Sequence, residues 1–363
     1  MGLTGFFIVA FLVLLFTFAE FIGPYNYMQS HSAYPYVPPM ITRVHFDGLQ
    51  PFVYGLAKKQ ACVIYGSKCQ IQPGVWDYTE DRTKKYSIRL FVRGEPYQLF
   101  GFIPTNIHLF GSGEAAGSPG QFFAFGTDGN GHDLLSQILF GGRVTMAIAP
   151  MVILISFLLG TSIGGLSGFL SGRADTLIQR AAEIFMSLPR LALLLALAGI
   201  LTHLGYIPAM VRFWSIVGLL SIVTWAPISR VIRGQFLALR ESEYTQAARA
   251  VGAGSGRIIF RHIMPNIMSY LVVAATLAVP DMIILESILS FLGYGIQHPL
   301  TSWGYLLYNF QGSGFFFQIQ FHAWLLIPAI FIVITVLAFN FMGDALRDAV
   351  DPYTVSEVKE GLR

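Results

Sequence analysis

The chain has 363 residues, of which 54% are hydrophobic and 12% charged, with a net charge of +3 and a mean hydropathy of +0.59. A soluble domain is about one quarter charged, so this composition excludes an ordinary soluble enzyme and indicates an integral membrane protein. No Cys/His cluster has zinc spacing, no basic tract of the nucleic-acid type appears, and no short-period repeat suggests a solenoid.

Apolar runs of about 20 residues are candidate transmembrane helices. Here they are filled continuously by Leu, Ala, Ile and Phe, without the alternation of an outer-membrane barrel. The fold class expected is an all-α polytopic membrane protein of six helices. The first run, residues 5–22, lacks a basic leader and is longer than the apolar region of a signal peptide. It reads as an uncleaved first transmembrane helix within 1–23.

Residues 24–125 change character, with Tyr, Pro, Gly, Lys and Arg common. Short β-type pieces such as Tyr86 to Arg93, followed by Gly94-Glu95-Pro96 as a turn, mark an inserted, water-exposed and β-rich domain. Cys62 and Cys69 fall inside it. Their spacing allows either a disulfide or two free thiols, and the compartment decides which. Residues 126–143 form a polar, glycine-rich junction leading into an amphipathic piece, Leu134 to Phe140, expected to lie along the membrane interface and to end at Gly141-Gly142-Arg143.

A membrane core follows over 144–347. Its helices are expected from Met146 to about Leu170, with Gly160, Gly164, Gly165 and Gly168 available for close packing. Further helices are expected over 178–204 with a kink at Pro189, over 216–236, over 266–292 interrupted by Pro280, and over 323–342. Residues 348–363 form a tail. Arginines set the orientation: Arg173 and Arg180 follow the second helix, and Arg230, Arg233, Arg240, Arg249, Arg257 and Arg261 follow the fourth. The alternate short loops contain only Arg212, and the nine Lys/Arg of 24–125 carry no weight because long domains translocate regardless of charge. Basic short loops stay in the cytoplasm, so both termini and the central loop are expected there, with 24–125 outside.

The central loop, 238–265, is too polar for lipid and too short for a catalytic domain. Glu243 to Ala250 contains good helix formers. Glycines at 252, 254 and 256 break the helix, and a second helix from Ser255 is expected to stop at Pro265. Ala247, Ala248 and Ala250 would make a low-profile surface that another protein could approach. The alternative is a solvated loop whose arginines only fix topology.

The pattern Gln246-Ala247-Ala248, then Gly252, then His262-Ile263-Met264-Pro265 resembles the EAA signature of ABC importer permeases. The stretches Gly126 to Asp133, Ser287 to Gly295, Ser302-Trp303-Gly304 and Asn340 to Pro352 also resemble that family, in particular the C-type subunit of the oligopeptide/dipeptide/nickel transporters. The resemblance covers about residues 126–352. It implies a type I importer-like helix bundle, with Glu243, Gln246, Ala247, Ala248, Arg249, Gly252, Arg257, His262 and Pro265 forming a coupling element against an ATPase subunit. It also implies a heterodimer with a B-type permease, two ABC ATPase subunits and an extracytoplasmic binding protein, in a bacterial or archaeal inner membrane. No cofactor would be bound by this chain: ATP and magnesium would be used by the ATPases, in keeping with the lack of a Gly-x-x-x-x-Gly-Lys-Ser/Thr loop here. Two positions depart from the pattern. Gln246 stands in place of glutamate, and His132 in place of arginine.

Arg190, Asp281 and Glu286 lie in apolar surroundings, where charges are costly and face a cavity or a partner. They are candidates for the translocation path, with a structural ion pair as the alternative for Glu286. An ion-gradient-driven carrier using Asp281 and Glu286 is the competing function; it leaves the central loop without a purpose. An intramembrane enzyme would need a catalytic set, and no Ser/Lys, Gly-x-Ser-x-Gly or His-Glu-x-x-His set is present. Peptides are the substrate class implied, with nickel complexes or oligosaccharides as alternatives.

Overall fold

A computed structural model describes residues 2–65, 68–114, 118–203, 205, 207–311 and 315–350. The side chains of Cys62 and Cys69, and therefore the choice between a disulfide and two free thiols, lie outside the described residues, as do those of 312–315. The chain divides into two compact units: residues 1–10, 146–296 and 332–363 form the first, and residues 11–145 and 297–331 the second.

Helices dominate. Four are long and apolar enough to cross a membrane: α3 (Leu134–Leu170), α6 (Ala209–Arg240), the stretch 255–291, and the stretch 323–349. A fifth candidate is broken: α4 (Gly172–Ser187) and α5 (Arg190–His203) meet at 88°. The expected kink at Pro189 is therefore a full break, because proline has no N–H to continue the ladder and forces the preceding residue toward extended backbone. Leu188 is accordingly extended, at φ −86° and ψ 139°. The shorter apolar helix α1 (Gly2–Thr17) and the four-residue α2 (Ala19–Ile22) precede all of these.

In the first unit, α3 and α6 pack backbone to backbone. Gly160, Gly164 and Gly168 recur every four residues and so share one face of α3. A Cβ on Gly164 would lie 2.3 Å from the Ser229 carbonyl oxygen, and one on Gly168 would lie 2.7 Å from that of Arg233. Only glycine permits this approach.

The polar end of α6 is tied to α4. Arg233 Nε and Nη2 donate to both Asp175 carboxylate oxygens, at 2.5 and 2.6 Å. Ser167 Oγ donates to the same carboxylate, and Arg230 pairs with Glu183 at 3.5 Å. Arginines read as topology markers are also structural ties.

In the second unit, β1 (His45–Asp47), β2 (Gln50–Tyr65) and β3 (Lys68–Ser87) form an antiparallel sheet in that order, and β4 (Arg89–Leu99) pairs antiparallel with β5 (Ile103–Gly111). The turn expected at Gly94-Glu95-Pro96 is a bulge inside β4, since the register shifts between Arg93 and Tyr97. Pro96 cannot donate to a ladder, and the bulge accommodates it. The chain reverses at Gly101, with φ +82° and its N–H donating to Gln98.

Gly141-Gly142-Arg143 does not end the helix begun at Leu134; α3 runs through it for 37 residues. These glycines serve packing instead: Gly141 abuts Ser302 and Gly142 abuts the Phe16 ring. Arg143 donates to both carboxylate oxygens of Glu20 and to the carbonyls of Phe16 and Thr17. Trp303 is fully buried, its indole donating to the Ile138 carbonyl at 3.0 Å. It opens α10 (Trp303–Gln311), which is followed by α11 (Phe315–Phe321).

Candidate functional site

The polar loop after α6 folds as a helix and a tight stop. Ser242 precedes α7 (Glu243–Ala250) with extended backbone, donates its hydroxyl to the Leu239 carbonyl, and lies within hydrogen-bond distance of the Thr245 hydroxyl. Glu243 in the first turn and Arg249 in the last complement the helix dipole. Gly252, at φ +83°, closes the helix. Its N–H donates to the Arg249 carbonyl, and that of Ala253 donates to the Ala248 carbonyl. This pair of bonds satisfies the last carbonyls of a helix and requires a left-handed residue, which glycine supplies without strain.

The helix has two faces. Thr245 and Ala248 are buried, while Glu243, Tyr244, Gln246, Ala247, Arg249 and Ala250 are exposed. Ala248 is thus not on the approachable surface with Ala247 and Ala250. It faces the chain beside Ala253, which packs on the cluster of Ile232, Phe236, Ile258, Ile263, Ile267 and Leu271. Val251 is 85% exposed and Phe260 73% exposed. Together with Tyr244 they present apolar surface within a polar segment.

Gln246 donates Nε2–H to the Glu241 carbonyl at 3.0 Å. A glutamate carboxylate has no hydrogen to donate there. The substitution therefore fastens α7 to the end of α6 through a neutral bond.

The second helix of the loop does not stop at Pro265. α8 (Ser255–Arg257) passes into a π-turn (Ile258–Ile263), then into α9 (Met264–Phe291), with Pro265 in its first turn. Proline fits a helix start, where no intrahelical partner is needed, and the wider π-turn precedes it. His262 lies in that turn, half-buried, its carbonyl accepting from Asn266 Nδ2 at 2.6 Å; Arg257 is exposed.

A second feature of this unit is a cavity of about 410 Å³ where α3, α4, α5, α6 and α9 converge. Arg190 and Asp281 both line it, among apolar groups that include Phe157, Phe185 and Tyr270. Arg190 Nη2 donates to Thr224 Oγ1 at 3.1 Å and contacts Met282 Sδ. Glu286 does not line the cavity. It is fully buried and accepts from Ser290 Oγ at 2.7 Å; that oxygen in turn accepts from the Ile296 N–H. Ser290 thereby links Glu286 to the chain reversal at Gly293 and Gly295, where a Cβ on Gly295 would meet Ser290 Oγ at 2.2 Å.

In the second unit, the junction before α3 is built on Asp128. Its carboxylate accepts from the N–H groups of Asn130 and His132 and from His132 Nδ1 at 2.9 Å. The bond to Asp128 raises the His132 pKa above its ordinary value. Asp133 then caps α3, accepting from the Ser136 N–H and hydroxyl.

Glycine spacing exposed the α3 seam in the sequence. The inward face of Ala248 and the cavity shared by Arg190 and Asp281 had no local signal, because each depends on residues far apart in the chain.

Residues 156–355 match the family model described as binding-protein-dependent transport system inner membrane component. An oligopeptide transport system permease protein of Haemophilus influenzae is 39% identical over 63% of this chain and 70% of its own length. The corresponding Escherichia coli K12 protein is 40% identical over 63% of this chain and 72% of its own. A dipeptide transport system permease protein of Bacillus subtilis is 37% identical over 63% and 68%. The chain belongs to the binding-protein-dependent transport system inner membrane components, the permease subunits of ABC importers.

Proposed function

We propose that this chain forms half of the translocation pathway of an ATP-driven importer of small peptides, and that α7 transmits closure of the ATPases to the helix bundle. The observation that supports this is the construction of α7. Its inner face is fixed by Thr245, Ala248 and the Gly252 stop, while its outer face carries exposed Tyr244, Ala247, Ala250 and Val251. Rigid attachment on one side and a free surface on the other suit a lever between a partner and the bundle. The peptide substrate rests on the names of the relatives above. The arginine distribution supports a cytoplasmic location for α7 and both termini, with residues 24–125 outside. The functional assembly is a heterodimer with a B-type permease, two ATPases that bind ATP and magnesium, and an external binding protein. An ion-gradient carrier would have no use for this loop.

The test uses the assembled transporter in proteoliposomes. A Cβ on Gly252 meets nothing within 4 Å, so Gly252→Val is strained only by its positive φ. Gly252→Val is expected to leave the complex assembled while peptide uptake per ATP hydrolysed falls at least tenfold, about 1.4 kcal/mol of lost coupling. Gly252→Asn, which tolerates the left-handed region, is expected to retain most uptake. Uptake driven by a proton gradient without ATP, or normal uptake by Gly252→Val, would overturn the reading.

A further inference from the structure

The cavity between α3, α4, α5, α6 and α9 has one cationic and one anionic side chain on a largely apolar wall. Among the described residues, no ion pair within 4.0 Å joins Arg190 to Asp281. Both side chains are exposed at the cavity, so each is open to a charged partner other than its neighbour across the wall. Both protein contacts of the Arg190 guanidinium use a single nitrogen, Nη2. Its remaining donors face no protein acceptor among the described residues, out of five that a guanidinium offers. Thr224 is itself fixed, donating to the Leu220 carbonyl at 2.7 Å. It therefore serves as a brace and leaves the rest of the guanidinium fork open.

Arg190 also marks a helix start at this cavity. Arg190 is the first residue of α5, directly after the 88° break, and Leu188 lines the cavity beside it. A helix that begins inside a membrane protein presents unpaired N–H groups and the positive end of its dipole. Broken helices use such ends to hold anionic groups. At the other wall, Asp281 lies on α9 one turn after Ala278 and two after Ala274, both cavity-lining and small. Small side chains there take up little of the cavity beside Asp281. The remaining wall, from Phe157, Phe185, Val223, Ile228 and Tyr270, tolerates apolar side chains of varied shape.

We propose that this cavity is a transit site for the two charged termini of a short peptide, the carboxylate held by Arg190 and the start of α5, the ammonium by Asp281. The inference rests on the peptide-importer reading and adds to it a site within the permease that reads main-chain charge and ignores side-chain identity.

The test uses the complete transporter in lipid nanodiscs without its binding protein. Cys62 and Cys69 are replaced by Ser, and Ala278→Cys serves as the reporter, with Ala274→Cys as a second in case the first does not assemble. The rate of N-ethylmaleimide labelling is measured with trialanine and with N-acetyl-trialanine amide. Trialanine is expected to slow labelling and the doubly capped peptide to leave it unchanged. Arg190→Gln and Asp281→Asn are each expected to raise the trialanine concentration needed for protection by about tenfold or more, the loss of one charge-assisted bond. Singly capped peptides separate the two ends: Arg190→Gln abolishes the penalty for C-terminal amidation, and Asp281→Asn that for N-acetylation. Equal protection by capped and free peptide, no protection by either, or unchanged protection in both variants would overturn the site. Failure of the unsubstituted transporter to take up trialanine with ATP and binding protein would instead overturn the peptide-importer reading.

Discussion

Replacing Gly164 with alanine tests the packing on which the bundle rests. The added Cβ would lie 2.3 Å from the Ser229 carbonyl oxygen and 2.9 Å from its Cα. That is roughly 1 Å short of ordinary contact, and the obstacle is backbone, which cannot rotate away. Overpacking costs about 1–3 kcal/mol, and a backbone clash belongs in the upper part of that range. Alanine returns up to about 1 kcal/mol of helix propensity, leaving a net loss of roughly 1–2 kcal/mol. Gly218 lies on α6, and a Cβ added there would meet nothing within 4 Å, so Gly218→Ala should gain the propensity term alone. Thermal unfolding of both variants in detergent supplies the comparison. Gly164→Ala should unfold below the unsubstituted protein and Gly218→Ala at or above it. A Gly164→Ala midpoint equal to that of Gly218→Ala would refute the close approach of α3 and α6.

Three further outcomes follow from particular contacts. Asp175→Asn leaves Arg233 without its bidentate acceptor and should cost about 2 kcal/mol; the double variant with Arg233→Gln should cost less than the two singles combined, as read from unfolding in detergent. Arg143→Lys keeps the charge but loses the forked bond to Glu20 and the bonds to the Phe16 and Thr17 carbonyls, so it should destabilise nearly as much as Arg143→Ala in the same assay. His322, stacked on Tyr36 at 3.9 Å and bonded to Gln318, has its pKa pushed from 6.5 down to about 4 by burial. A depressed pKa means that the stability is present above pH 6.5 and is lost as pH falls toward 4, so His322→Phe should flatten the acid side of a stability–pH profile.

Local rules in the sequence anticipated the elements they govern. Helix formers from Glu243 to Ala250 and the glycine at 252 define α7 and its stop, because capping is decided within a few residues. The four-residue glycine spacing on α3 marked a packing seam for the same reason. Where local signals were ambiguous, tertiary context chose. Gly141 and Gly142 read as a terminus but admit Ser302 and Phe16, and Gly94-Glu95-Pro96 read as a turn but forms a bulge. Pro265 read as a stop but starts α9, where no N–H partner is needed, and Pro280 read as an interruption but lies inside α9, which runs through it to Phe291. Which face of α7 is buried could not be read at all, because Ala247 and Ala248 differ only in what lies beside them. The separation of Arg190 and Asp281 from Glu286 likewise depends on where α9 meets its neighbours.

The most direct test of the coupling role is site-directed cross-linking of α7 to the ATPase partners in the assembled transporter. Single cysteines at Ala247, Ala250 and Val251, on the exposed face, should cross-link to an ATPase subunit, with yields that change on adding ATP. Cysteines at Thr245 and Ala248, on the buried face, should not. Cross-links from the buried pair equal to those from the exposed set, or none from any position in a complex that transports peptide, would contradict the account.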